Sequence, residues 1–238
     1  MGRPKSQNGR REQLVLSALD AIRDRGIRNL RIRDIAEGAK VSTGTIHYHF
    51  ADIDEIIYAV HSGASDRFFS DRFRAISELE DARDQLGSLV ASGLPTSSDD
   101  AVVIALYEID LYRRGDPAHM LLGQALFDRQ VALYFGTLQL GVSQGHFTLN
   151  APAQDIAQTL VALEDACGMH IIYGNRSLMI DRSSALLLGY SQTATSCSEI
   201  GTRTTPTKAR SSSNETSKTK HRALGNQLRG LPVGGADQ

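Results

Sequence analysis

From Lys40 to Phe50 the chain reads KVSTGTIHYHF. Thr43, Thr45, His47 and Tyr48 are side chains of the kind that bond phosphate oxygens and base edges. The two threonines fall near a helix start, where free N–H groups and the helix dipole favour anions. His47 and Tyr48 add donors and flat stacking surfaces. Ser42 is placed to cap that helix by accepting from its first N–H groups. Val41, Ile46 and Phe50 form the apolar set on the opposite side. His47 and His49 also raise a metal reading, but two positions apart in a helix diverge by about 200°, and no third ligand lies within a turn or two. No metal and no cofactor are expected. Catalysis has no support either: there is no glycine-rich phosphate loop and no nucleophile motif, and His61, His119, His146 and His170 stand without carboxylates at a recognisable spacing.

The elements that position those residues follow from periodicity. Ile32, Ile35, Ala36 and Ala39 recur at steps of three and four, which predicts a short helix ahead of the polar one and so a helix-turn-helix. A packing-only helix pair would satisfy the same apolar pattern. A first helix spans residues 9–25, with Leu14, Ala18, Leu19 and Ile22 as its stripe, and Gly26 supplies the left-handed residue that ends it. A long helix over residues 52–80 connects onward. Shorter helices are expected over 81–93 and from the Ser-Ser-Asp-Asp stretch to about residue 114. Helix seven, over 117–144, is apolar nearly all round and is expected at the centre of a bundle. Two C-terminal helices, 153–174 and 181–190, complete an all-α fold.

Charge is distributed unevenly. Residues 1–50 carry ten Lys and Arg against five Asp and Glu, whereas residues 51–190 carry nine against nineteen. A basic front on an acidic body lets one end approach a polyanion while the rest is held off. Cys167 and Cys197 have no paired spacing, which fits a reducing cytoplasm. No apolar run is long enough for a membrane span. From residue 192 onward Ser, Thr, Lys, Arg and Gly predominate, which predicts a disordered tail.

With those residues in view, the run from about Arg11 to Val60, with RDIAEGAKVSTGTIHYHF at its centre and ADIDEII opening the next helix, resembles the DNA-binding domain of TetR-family transcriptional regulators. The stretches DLYRRGDPAHMLLGQALFDRQVALY and QGHFTLNAPAQDIAQTLVALEDACGMHIIYG resemble the C-terminal effector domain of BetI-type members. The implied division is a flexible basic arm over 1–10, a helix-turn-helix domain over 11–58, a helical ligand-binding and dimerisation domain over 59–191, and the tail over 192–238. The resemblance assigns Thr43, Gly44, Thr45, His47, Tyr48 and His49 to double-stranded DNA, with Arg33 against the backbone. Three departures from the family pattern stand out: Lys40 in the turn where glycine is usual, Arg31 where Thr or Ser usually caps the second helix, and Ile53, flanked by Asp52, Asp54 and Glu55, where a backbone-binding lysine is usual.

The resemblance further implies a homodimer on a palindromic operator, most simply a repressor, released when a small-molecule effector fills a pocket between the connector and helices five to seven. Tyr107, Glu108, Tyr112, Phe127, Tyr134 and Phe135 are the expected ligand contacts. Leu160, Leu163, Cys167, Ile171 and Leu187 are the expected dimer interface. The competing expectation is a helical interaction or small-molecule-binding protein whose helix-turn-helix no longer reads DNA.

Overall fold

The computed structural model describes residues 4–201. Among the described residues the chain forms nine α-helices and no strand: α1 (Pro4–Arg25), α2 (Ile32–Gly38), α3 (Thr43–His49), α4 (Ile53–Ile76), α5 (Ala82–Gly93), α6 (Ala101–Tyr112), α7 (Pro117–Ser143), α8 (Ala153–Ile172) and α9 (Ile180–Thr195). A 3₁₀ turn, Ile27–Asn29, follows α1. Asp52, Asp81, Asp100 and Asp116 each accept a backbone N–H from the helix they precede, which satisfies donors that a helix start leaves free.

Two cores result. Leu14, Ala18 and Ile22 of α1 pack with Ile35, Ala36, Ile46, Phe50, Ile56, Ile57 and Val60, joined by Ala105 and Ile109 from α6. The second core gathers Leu86, Leu89 and Val90 of α5 with Tyr134 and Leu138 of α7, Leu160 and Ile171 of α8 and Leu187 of α9. Each fully buried aliphatic side chain contributes roughly 1.5–3 kcal/mol. Helix α4 runs through both cores, with Ala64 in a small cluster of its own beside Leu106 and Leu126.

Four expectations need correction here. Helix α1 begins at Pro4, so the backbone of residues 4–10 is helical rather than a loose arm; residues 1–3 lie outside the described residues. Helix α7 is not buried all round. Its Leu126, Tyr134 and Leu138 turn inward while Met120, Leu121 and Phe135 are exposed, because neighbours cover one side of it only.

The body also continues past residue 191. Helix α9 runs to Thr195, and Ala194, Cys197 and Ile200 are buried in the second core. Ser191, Thr193 and Thr195 donate their hydroxyls to the carbonyls of Leu187, Gly189 and Ser191 at 2.8–2.9 Å, so a polar-looking stretch is satisfied by its own helix. Residues 202–238 of the expected tail lie outside the described residues.

The last correction concerns the expected dimer contacts. Leu160, Cys167, Ile171 and Leu187 face the chain's own core, and of the five only Leu163 is exposed. The inward stripe of α8 and α9 is consumed by packing on α5 and α7. The apolar side chains these two helices leave outside are Leu163, Met169 and Leu186, with Tyr173 and Met179 at their ends.

Candidate nucleic-acid interface and effector core

The turn before α3 is built without glycine. Val41 N donates to Ala36 O at 2.9 Å and Lys40 N to Glu37 O at 3.1 Å, a Schellman closure that needs its middle residue left-handed. Lys40 takes that place with φ 55°. A side chain there costs about 1 kcal/mol. Lys40→Gly is therefore expected to raise the unfolding free energy by up to about 1 kcal/mol, read by urea denaturation; an unchanged or lower value would show that Lys40 is not strained.

Ser42 then caps α3, accepting from Thr45 N at 3.2 Å and sharing a hydrogen bond with Thr45 Oγ1 at 3.0 Å. Ile46 and Phe50 are buried, which turns Thr43, Gly44, His47 and Tyr48 outward, with Thr45 and His49 half-buried at the edge. The Tyr48 ring is 72% exposed and meets His49 edge-on at 5.1 Å. A Cβ on Gly44 would meet only Ser42 Oγ, at 3.6 Å, so packing does not demand glycine there and the open backbone faces outward. Arg33 is 70% exposed, 3.9 Å from Asp34. Arg28, Arg31 and Lys40 are exposed too, basic groups that the motif-based assignment leaves out.

The acidic start of α4 is largely neutralised within the protein. Asp52 Oδ1 accepts from Glu55 N at 2.8 Å and Glu55 Oε2 from Ala51 N at 2.8 Å. Arg11 reaches Glu55 Oε1 at 2.9 Å while lying over the Phe50 ring at 4.4 Å. The Ala51 N–H, and then Arg11, hold the Glu55 carboxyl below its usual range. Asp54 is ion-paired with Arg113 of α6. Arg11 is thereby folded back on α4 rather than held out for phosphate.

Helix α6 ties this N-terminal head to the body. Glu108 Oε2 accepts from Ile27 N at 2.6 Å, and the Arg113–Asp54 pair makes a second tie. Glu108 thus serves the domain junction and not the expected pocket. The other expected ligand contacts scatter. Tyr112 and Phe135 are exposed and Phe127 is half-buried. Tyr107 donates to Asp165 O at 3.3 Å, an approach open only because residue 168 is glycine: a Cβ there would sit 2.3 Å from the phenol oxygen. Burial holds the Tyr107 phenol above its usual range. A groove of about 410 Å³ between α1, α4 and α6, walled by Val15, Leu16, Leu19, Val60, Ala64 and Val102, includes none of the six.

Tyr134 is the one expected contact at the centre, and it leads to a cluster absent from the sequence reading. Arg72 of α4 is fully buried and holds Glu164 of α8 with two N–H groups, at 2.8 and 3.0 Å. Gln130 Oε1 and Leu89 O accept from the same guanidinium at 2.7 and 3.3 Å, and Tyr134 donates its O–H to Glu164. Burial, opposed by Arg72, keeps the Glu164 carboxyl above its usual range, and burial likewise raises the Tyr134 phenol. Nearer the head, His61 Nδ1 of α4 and His119 Nδ1 of α7 stand 3.0 Å apart, both rings buried. A carboxylate is supplied from α6: Asp110 Oδ1 lies 3.2 Å from His61 Nε2. Burial, and then the neighbouring His61, hold the His119 imidazole below its usual range. A signal was present in the apolar stripes, since Glu164 falls in register between Leu160 and Cys167, and Arg72 between Phe68 and Ile76.

Among the described residues no helix is long and apolar enough to cross a membrane. Residues 14–60 match the family described as bacterial regulatory proteins, tetR family. The chain is 29% identical over 147 residues to the HTH-type transcriptional repressor KstR2 of Mycobacterium tuberculosis, a match covering 59% of this chain and 70% of that one. It is 23% identical over 165 residues to the HTH-type nicotine-responsive transcriptional repressor HdnoR of Paenarthrobacter nicotinovorans, covering 67% of this chain and 82% of that one. A transcriptional regulator from Saccharomonospora viridis, solved in complex with choline, superposes with a TM-score of 0.71 at 27% identity over 76% of this chain and 95% of that one.

Proposed function

The chain belongs to the tetR family of bacterial regulatory proteins, and on that premise we propose that it is a transcriptional repressor that binds a palindromic operator as a homodimer and releases it when a small molecule occupies the body. The observation that carries this reading is the outward edge of α3. Thr43, Gly44, Thr45, His47, Tyr48 and His49 line one short helix whose other side, Ile46 and then Phe50, anchors it in the core. That arrangement offers the major groove short polar groups and an aromatic on a rigid base. Arg33 on α2, with Arg28, Arg31 and Lys40, would meet the phosphates.

The effector half of the reading draws on the nicotine-responsive relative and the choline-bound neighbour. Helices α4 and α6 are its transmission. A change in how α4 packs on α5 and α7 reaches the head directly, because α4 is continuous with it, and α6 holds the head through Glu108 and Arg113. A ligand that prefers one of two such packings shifts the equilibrium by its difference in affinity. For the dimer, the outer face of α8 and α9 with Leu163, Met169 and Leu186 replaces the inward residues first expected. Each half-site is then expected one helical turn from the other, about 34–36 Å, or a multiple of it.

Fluorescence anisotropy tests the reading with DNA from the chain's own upstream region, a scrambled duplex and the Thr45→Ala/Tyr48→Ala variant. We expect specific binding by the wild type and a loss of at least about tenfold in the variant, since base contacts contribute on the order of 1–3 kcal/mol each. Equal, weak binding to both duplexes by an intact dimer would reject it.

A further inference from the structure

Four buried polar side-chain atoms lack a hydrogen-bond partner among the described residues, and three of them, His61 Nε2, Ser65 Oγ and Arg72 Nε, belong to α4. Their residues are 0–4% exposed. His61 Nε2 lies 3.2 Å from Asp110 Oδ1 but out of line for a hydrogen bond. Spaced by four and seven residues, the three fall on one stripe of the helix, facing His119 at one end and Gln130 and Tyr134 at the other. Leaving such atoms unpaired is costly, and three in a row mark a place where polar groups are supplied from elsewhere.

The stripe is polar at its ends and apolar along its middle. Arg72, with the faces of Phe68 and Tyr134 at 5.6 and 5.3 Å, occupies one end. His61 and Ser65 occupy the other. Between Ser65 and Arg72 the helix carries Phe68 and Phe69, which pack against Ala64, Leu106 and Leu126. Seven residues of helix separate Ser65 from Arg72, roughly 10 Å. A buried guanidinium recognises a planar, bidentate anion, and here its two terminal nitrogens are already held by Glu164.

We propose that the effector of this protein is an organic monocarboxylate with an apolar body about 10 Å long and a second oxygen function, seated along α4 with its carboxylate replacing Glu164 on Arg72 and its far oxygen at Ser65 and His61. The identification rests on the regulator reading only for the word effector; the binding chemistry stands on the cluster. The charge balance is closed. One carboxylate enters, Glu164 leaves Arg72 and takes one proton from solvent, and the core remains neutral. The groups facing Glu164 are Arg72 from α4, Tyr134 from α7 and Tyr107 from α6, with Asp165 on its own helix and Gly93 of α5 against its carboxyl; Gln130 and the Leu89 carbonyl accept from the same Arg72 guanidinium. Burial already favours the protonated form of Glu164. Transfer of Arg72 from Glu164 to the ligand frees α4 from α8, so the ligand distinguishes two packings of the connector.

Titration calorimetry on the full chain tests this with ω-hydroxydecanoate and its primary amide. We expect the acid to bind with uptake of one proton, seen as heats that vary with the buffer's ionisation enthalpy, and the amide not to bind. Glu164→Gln removes the competing charge, so it is expected to bind the acid at least about tenfold more tightly with no proton uptake. Should that variant not fold alone, the acid and not the amide should restore its cooperative melt. Arg72→Met/Glu164→Met should melt cooperatively and bind neither. The proposal is overturned if the acid binds neither wild type nor Glu164→Gln, if acid and amide act alike, or if acid binding survives in the double replacement. Acid binding that leaves the protein on its operator would sink the repressor mechanism and spare the site; an operator released by other compounds and never by an acid would do the reverse.

Discussion

Glu164→Ala is expected to lower the unfolding free energy by roughly 3–5 kcal/mol, because it leaves the Arg72 guanidinium charged and unpaired inside the second core. Arg72 is fully buried and Glu164 2% exposed, so solvent cannot replace the lost carboxylate. Tyr134 loses its acceptor at the same time. The Arg72→Met/Glu164→Met replacement should recover most of that loss, since a buried pair exchanged for apolar groups of similar volume is often neutral. Urea unfolding of the three proteins decides it. A single variant as stable as the wild type would mean that Arg72 finds another partner or reaches water. The pair also sets a slope with pH. Glu164 has a folded pKa raised above its unfolded value, so the folded state binds the extra proton between the two values, and the wild type's stability relative to the Met/Met protein should fall as pH rises through that window.

Gly141→Ala is expected to cost on the order of 1–3 kcal/mol or more, because a Cβ there would lie 1.9 Å from the Phe147 ring. The chain turns back after α7 with His146 N and Phe147 N both donating to Gly141 O, at 2.9 and 3.1 Å. The Phe147 ring is buried in the second core, so it fills the space a side chain at 141 would need and has no free direction in which to yield. Gly136, on the same helix with nothing within 4 Å of its missing Cβ, is the contrasting case: alanine there should stabilise by about 0.5–1 kcal/mol through helix propensity alone. Thermal melts of the two variants should therefore move in opposite directions. Parallel shifts would mean that backbone entropy, and not the Phe147 contact, governs position 141.

The helix-turn-helix was legible in the sequence because its determinants are local. The cap at Ser42, the apolar steps through Ile32, Ile35 and Ala36, the stop at Gly26 and the cap at Asp52 act within one or two turns of their own residues, and local hydrogen bonding and periodicity are what a sequence displays directly. Even the odd residue, Lys40, stood out as a side chain in a turn where glycine is usual, and it takes the left-handed conformation there.

The body was legible as helices and not as a site. Periodicity marks Leu160, Cys167, Ile171 and Leu187 as one apolar stripe, but whether a stripe meets its own chain or a second copy depends on which helices lie against it. Here α5 and α7 do. The same limit hid the buried polar groups: Arg72 and Glu164 are 92 positions apart, and His61 and His119 58, so no spacing rule connects them and only the packing of α4 and α8 on α7 makes them partners. The end of α9 is hidden for the complementary reason, because Ser191, Thr193 and Thr195 look solvent-seeking while their hydroxyls bond carbonyls one turn back. Sequence alone thus determined the order of the helices, the outward edge of α3 and the turn before it, all set by neighbours in the chain. Tertiary structure alone decided which faces are inside and which charges meet, because burial and pairing across the core are properties of distance in space.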